Sequence, residues 1–212
     1  MAMGDLVLAE DDVTPVMTKL QEGGIEISAL HNHVLHESPR VMYMHISGHG
    51  DAAQVAKAIA TAMALTKLRP PSPPAPAAQL DIDTKAIELA TGFPGKVNGG
   101  VFQVGVPRTE TIKAHGMAVP NSMGLSTALN FQPTGSGKAA ITGDFVLLGS
   151  EVNPVIKALR KNGIEVTAIH SHMLDEEPRL FFMHFWANDD AVKLAKGLRE
   201  ALDQTNSKKP AK

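Results

Sequence analysis

Apolar residues recur along this chain at two alternating periods. Val152, Val155, Ile156 and Leu159 are spaced like one face of a helix, with Ser150 as an N-cap, Pro154 tolerated in the first turn and Gly163 as the stop. IEVTAIHSHM and LFFMHFW, which follow, are rich in β-branched and aromatic residues and predict two strands, and DEEPR between them suits a hairpin loop. Asn188 or Asp189 then caps a second helix that aligns Ala191, Leu194, Ala195, Leu198 and Leu202 on one side. Upstream, TKAIELATG reads as a short helix, VNGGVFQVGVPR as a strand, GMAVPNSMG as a loop and LSTALNFQP as another strand.

The pattern occurs twice. Gly4 to Thr66 aligns without a gap on Gly143 to Thr205, with about 26 identities over about 63 pairs, which predicts an internal duplication. The expected architecture is α+β: a strand-helix-strand-strand-helix module with an antiparallel sheet covered by helices on one side, the first copy truncated at its N-terminus. Residues 1–68 form the partial first module and 81–205 the complete second one. Between them, 69–80 (RPPSPPAPAAQL) reads as a proline-rich linker, and 206–212 reads as a disordered tail. A first strand with no partner from its own module favours a fragment of a longer protein, and such an exposed strand favours a homo-oligomer.

Composition narrows the chemistry. Lys and Arg total 20 against 22 Asp and Glu, so no strong field steers a phosphate backbone and nucleic acid is not expected as a partner. With no cysteine, disulfides, thiolate ligands and a cysteine nucleophile are excluded. No apolar run is long enough for a membrane span, and MAMGDLVLAEDD is too short and too acidic for a secretory signal, so an ordinary soluble protein is expected. QPTGSGKAA is no phosphate loop: Gln132 and Ala139 stand where Gly and Ser or Thr are required, and a strand, KAAITGDFVLL, follows, so it reads as a hairpin turn. Met42, Met44 and Met183 read as core filler.

The histidines offer more. Side chains two apart on a strand share a face, which aligns Ile25, Ile27, Ala29, His31 and His33 in one copy and Ile164, Val166, Ala168, His170 and His172 in the other. If the hairpin register sets His31 opposite His45 and His170 opposite His184, each copy gathers three imidazoles on one face. His31, His33 and His45, and likewise His170, His172 and His184, then form a three-histidine site for zinc, copper or nickel, with a position left for water or substrate. The alternative is a metal-free ligand-binding or structural module whose histidines are hydrogen-bonded core residues. Glu37 and Glu176, at the hairpin tips, are candidates for a general acid or base, and Arg40 and Arg179 for holding an anionic small molecule; the competing role is a Glu–Arg pair that stiffens the turn. His36, His49 and His115 lack such support, and Asp175 is a candidate fourth ligand.

VNGGVFQVGVPR, GMAVPNSMGLSTALNFQPTGSGKAAITGDFVL and the run from EVNPVIKALRK to AVKLAKGL resemble the bacterial LppY/LpqO-like proteins, a family of uncharacterised function. The resemblance spans 81–205 as a whole module and 1–66 as the end of a preceding one. It implies two modules behind a leader and hence a periplasmic or extracytoplasmic location, although this sequence carries no signal segment. It implies no reaction and no catalytic residues. The chemistry expected from the residues, if a metal acts, is hydrolysis or hydration by metal-bound water.

Overall fold

The computed structural model describes residues 1–67 and 80–209. The chain divides into two units, one of Met1–Ser72 with His170–Leu174, the other of Pro73–Ile169 with Asp175–Lys212. His170–Leu174, expected in the second module, thus belong to the first unit. The architecture is α+β.

In the first unit, β1 (Ala2–Ala9), α1 (Glu10–Glu22), β2 (Glu26–His31), β3 (Val41–Gly48) and α2 (Ala52–Met63) follow one another. The sheet is antiparallel in the order β1-β3-β2. Leu8, Met44, Ile46 and Ile25 turn one face toward Val16, Leu20 and Ala62 of the helices, and these residues make the core. α2 is started by Asp51, whose carboxylate accepts from the amides of Ala53 and Gln54.

The second unit contains α3 (Thr84–Thr91), β4 (Gly95–Asn98), β5 (Val101–Pro107), a two-strand ribbon of β6 (Lys113–Ala114) and β7 (Met117–Ala118), then β8 (Ser126–Gly135), β9 (Lys138–Leu148), α4 (Gly149–Lys161), β10 (Glu165–His170), β11 (Leu180–Asp190) and α5 (Ala191–Leu202). Its six strands are ordered β10-β11-β9-β8-β5-β4. Val104, Phe131, Ile141, Phe145, Met183 and Phe185 face the core with Val155 and Leu159 of α4 and Leu194 and Leu198 of α5. The order strand, helix, strand, strand, helix occurs in both units, and in each the last strand lies in the middle of the three.

Four expectations need correction. VNGGVFQVGVPR is a hairpin, not one strand: Gly99 and Gly100 take positive φ, which allows the tight reversal between β4 and β5. α4 begins at Gly149 rather than after Ser150, and Glu151 reaches back to accept from the amide of Leu148 at 2.7 Å. α5 is capped by Asp190, which accepts from the Lys193 amide. The segment read as a disordered tail is held as far as Lys208: the Lys208 amide donates to the Pro107 carbonyl at 2.8 Å, and Ser207 is buried. The proline-rich stretch 69–80 lies outside the described residues except for Leu80, which packs against the core of the second unit.

Arg108 organises that end of the unit. Its buried guanidinium donates to Glu151 at 2.7 and 3.1 Å, to Glu110 at 2.9 Å twice, and to the Val146 carbonyl at 2.7 Å. Glu151 also accepts from the Asn206 amide at 2.6 Å, so one charge network joins the segment just after β5, β9, α4 and the segment after α5. QPTGSGKAA is the expected hairpin turn between β8 and β9, and Met44 and Met183 are fully buried core residues.

Candidate functional site

The face of the first sheet turned away from α1 and α2 carries the chemistry, and a single extra residue puts it there. Along β2, Ile27 pairs with Ile46, but the next pair is Ala29 with His45; two β2 residues are passed for one on β3. This is a β-bulge at Ser28, and it reverses which face the odd-numbered residues occupy. Ile25 and Ile27 therefore join the core while Ala29 and His31 point the other way, so the five residues read from the sequence as one face are divided between two. The assumed register is also two residues off: His31 lies opposite Tyr43, and His45 opposite Ala29. A shift of two preserves the face, so the rings still meet, diagonally rather than directly.

His31 and His45 bring their Nε2 atoms to 2.9 Å. His31 donates from Nδ1 to the Asn32 carbonyl at 3.0 Å, which leaves Nε2 as its lone-pair nitrogen. Burial lowers the His31 pKa below the usual value, against the hydrogen bond to Asn32 and with some help from His172. With His31 neutral, its Nε2 accepts and His45 Nε2–H donates. His33 stacks 5.1 Å from His31 and lies flat on Tyr43, with centroids 3.4 Å apart and planes 8° apart. The Tyr43 phenol has a raised pKa, through burial first and then the carboxylates of Glu37 and Asp5.

His170 and His172, in the segment that belongs to this unit, join the same group. His170 stacks on His31 at 3.6 Å between centroids, and His172 on His45 at 3.9 Å. Burial pushes the His172 pKa down to about 3, so the ring is neutral at physiological pH. Ser28, the extra residue of the bulge, donates its hydroxyl to the His172 carbonyl at 2.6 Å. His31, His45 and His170 offer ligand atoms that all lie within 4.8 Å of one another, and so do Asp5, His33 and His45.

Asp5 was not read from the sequence. It sits on β1 directly across from His45, 3.9 Å from that ring and 3.5 Å from His33. One signal was available: Asp5 and Asp144 align in GDLVLAED and GDFVLLGS. The second unit repeats the pairing, with Asp144 on β9 across from His184 on β11. His184 is buried and donates from Nδ1 to the Gly143 carbonyl at 2.8 Å, which fixes its tautomer. Burial raises the Asp144 pKa to about 6, against the opposing pull of His184 and a backbone hydrogen bond at Met183.

The hairpin-tip residues serve their own turns. Glu176 is buried, accepts from the Leu180 amide at 2.9 Å and pairs with Arg179 at 3.3 Å. Glu37 accepts from the Val41 amide at 3.4 Å, and the exposed Arg40 lies 3.9 Å from Glu10. Asp175 pairs with His115 at 2.9 Å. His36 takes a left-handed backbone at an exposed loop position.

Among the described residues no helix is long and apolar enough to cross a membrane. Comparison with curated proteins and with solved structures gave no match. A family model described as a domain of unknown function, DUF1259, matches residues 1–65 and 85–204, and the chain therefore belongs to that family.

Proposed function

We propose that the histidine group of the first unit binds a transition-metal ion, zinc, copper or nickel, through His31, His45 and His170, with His33 and Asp5 beside them. The observation that carries the reading is the 2.9 Å separation of the His31 and His45 Nε2 atoms. Two nitrogens that close can both reach one ion at about 2.0–2.1 Å, and the Asn32 carbonyl holds His31 in the tautomer a ligand needs. For His45 to serve as a ligand through Nε2, the proton it donates to His31 would have to move to its own Nδ1. The third ring, within 4.8 Å, needs a shift of about 1 Å to complete the set. These residues would hold the ion, and a metal so bound would supply activated water for hydrolysis or hydration; an anionic small molecule is the matching substrate class. His170, His172 and His184 were expected as a second site, and we keep His184 with Asp144 as its remaining candidate.

A second reading has its own support. Stacked rings, His31 on His170 and His45 on His172, place faces rather than lone pairs together, as suits a metal-free stack in a ligand-binding or structural module. The equal order of elements in both units, with the aligned identities, supports the duplication. The likeness to LppY/LpqO-like proteins supports an extracytoplasmic location, which fractionation of the native host tests.

Elemental analysis of untagged protein, beside a His31→Ala/His45→Ala variant, separates the two readings. Metal binding predicts about one ion per chain, lost in the variant, and a melting temperature raised by added zinc or copper, because a ligand at 100-fold its Kd stabilises by about 2.7 kcal/mol. Metal-free protein whose melting ignores all three ions leaves the stacked module as the answer.

A further inference from the structure

The open face of the second unit's sheet carries a row of polar residues that neither the core nor the histidine chemistry uses. Successive cross-strand pairs run Lys96–Gln103, Gln103–Asn130, Asn130–Thr142 and Thr142–Trp186, so five residues from β4, β5, β8, β9 and β11 stand side by side on the face opposite the helices. At about 4.8 Å per strand the row is about 19 Å long. The amides are linked head to tail: Asn98 donates from Nδ2 to Gln103 Oε1 at 3.3 Å, and Gln103 donates from Nε2 to Asn130 Oδ1 at 3.1 Å. Such a chain orients the amide groups and polarises them in one direction.

Next to the row the surface is hollow. A depression of about 370 Å³ is lined by Lys96, Gln103 and Asn130, with Gly105 and Ala128 as cross-strand partners in its floor. Gly105 is exposed, and a β-carbon there would meet nothing within 4 Å. At the far end of the row Trp186 is 38% exposed, a large aromatic held on a strand with part of its surface in solvent.

We propose that this strip binds a neutral oligosaccharide. A sugar hydroxyl both donates and accepts, and a side-chain amide offers both functions in one fixed plane. A tryptophan face takes the C–H face of a sugar ring, joining apolar area with a polar rim. The length of the row suits several linked rings rather than one. Lys96 is its only charge, so polyanions are poorly matched, and a peptide that adds a strand would take a sheet edge, not a face. The proposal is independent of any metal.

The chain has a single tryptophan, so intrinsic fluorescence reports on this strip. Cellotetraose, maltotetraose and chitotetraose are titrated in turn, with heats measured in parallel. Saturable binding of at least one is expected, weakened at least tenfold by Asn130→Ala and by Gly105→Leu. The second variant puts a side chain into the hollow at a position outside the left-handed region whose β-carbon has open space; an unchanged melting temperature is the control that its fold is kept. No fluorescence change and no heat with any of the three at millimolar concentration overturns the proposal. So does binding that both variants leave within twofold.

Discussion

Asp5 and Asp144 stand at aligned positions in two strands, each after a glycine and directly across from a histidine of the adjacent strand. β1, which holds Asp5, is an edge strand of three, whereas β9, which holds Asp144, lies between β11 and β8. The Asp5 side chain keeps 35% of its surface in water; that of Asp144 keeps 17%, and burial raises its pKa to about 6. One acid–histidine pair thus has two characters. At the edge the carboxylate is solvated, lies near two rings and can assist a ligand set; inside, desolvation favours a protonated carboxyl.

The largest way to widen the difference between the units is to cut the Arg108 network, which only the second possesses. Glu151 follows β9 and aligns with Asp12, which follows β1 in a helix whose N-cap makes no side-chain bond. Glu151→Ala leaves the guanidinium of Arg108 buried with one carboxylate partner instead of two and frees the amides of Leu148 and Asn206. A loss of about 3–5 kcal/mol is expected in denaturant unfolding. Asp12→Ala removes only a first-turn charge and costs about 0.3–1 kcal/mol. Equal losses would mean that the network is not what anchors α4.

Next is the pH dependence of the buried acid. Asp144 titrates near 3.8 in the unfolded chain and about 6 in the folded one, so the folded state holds the proton more firmly. The stability it contributes is complete below about 3.8 and is lost as the pH rises through 6. Asp144→Asn keeps an acceptor oxygen and removes the ionisation. It should stabilise by roughly 3 kcal/mol at pH 8 and by nothing near pH 3.5, read from unfolding curves across that range. Asp5→Asn, at the edge, should change stability by less than about 1 kcal/mol. A flat difference for Asp144→Asn across the range would show that folding does not raise the pKa of this carboxyl.

Which parts of this were legible in the sequence follows from how local their causes are. The helix at Thr84–Thr91 and the strand KAAITGDFVLL depend on periodicity and on flanking Gly and Asp, and both lie where expected. The bulge at Ser28 depends on β3, with which β2 must pair, and no feature of ISALHNH announces an extra residue. The hairpin tips were ambiguous because Glu176 satisfies its own turn with the same carboxylate a catalyst would use. Arg108 was invisible because its partners, Glu110 just after β5, Val146 in β9 and Glu151 in α4, are scattered over more than 40 positions.

The smallest of these contrasts is also the cleanest, since it changes one methyl group at aligned glycines. A β-carbon on Gly143 would overlap the carbonyl oxygen of Ala128 and touch the Phe185 ring at 3.0 Å. The first neighbour is backbone of the paired strand and cannot yield without opening the β8–β9 ladder, which also carries the carbonyl that orients His184. On Gly4 the same carbon would meet only the Ile46 side chain, at 3.4 Å, which is ordinary contact. Gly143→Ala should therefore cost about 1–3 kcal/mol, while Gly4→Ala should be neutral or slightly stabilising, because alanine restricts the unfolded chain more than glycine does. Measured together by chemical unfolding, similar costs for both would mean that β1 is covered in solution as β9 is within its sheet. The contrast between edge and interior would then belong to the isolated chain and not to the protein at work.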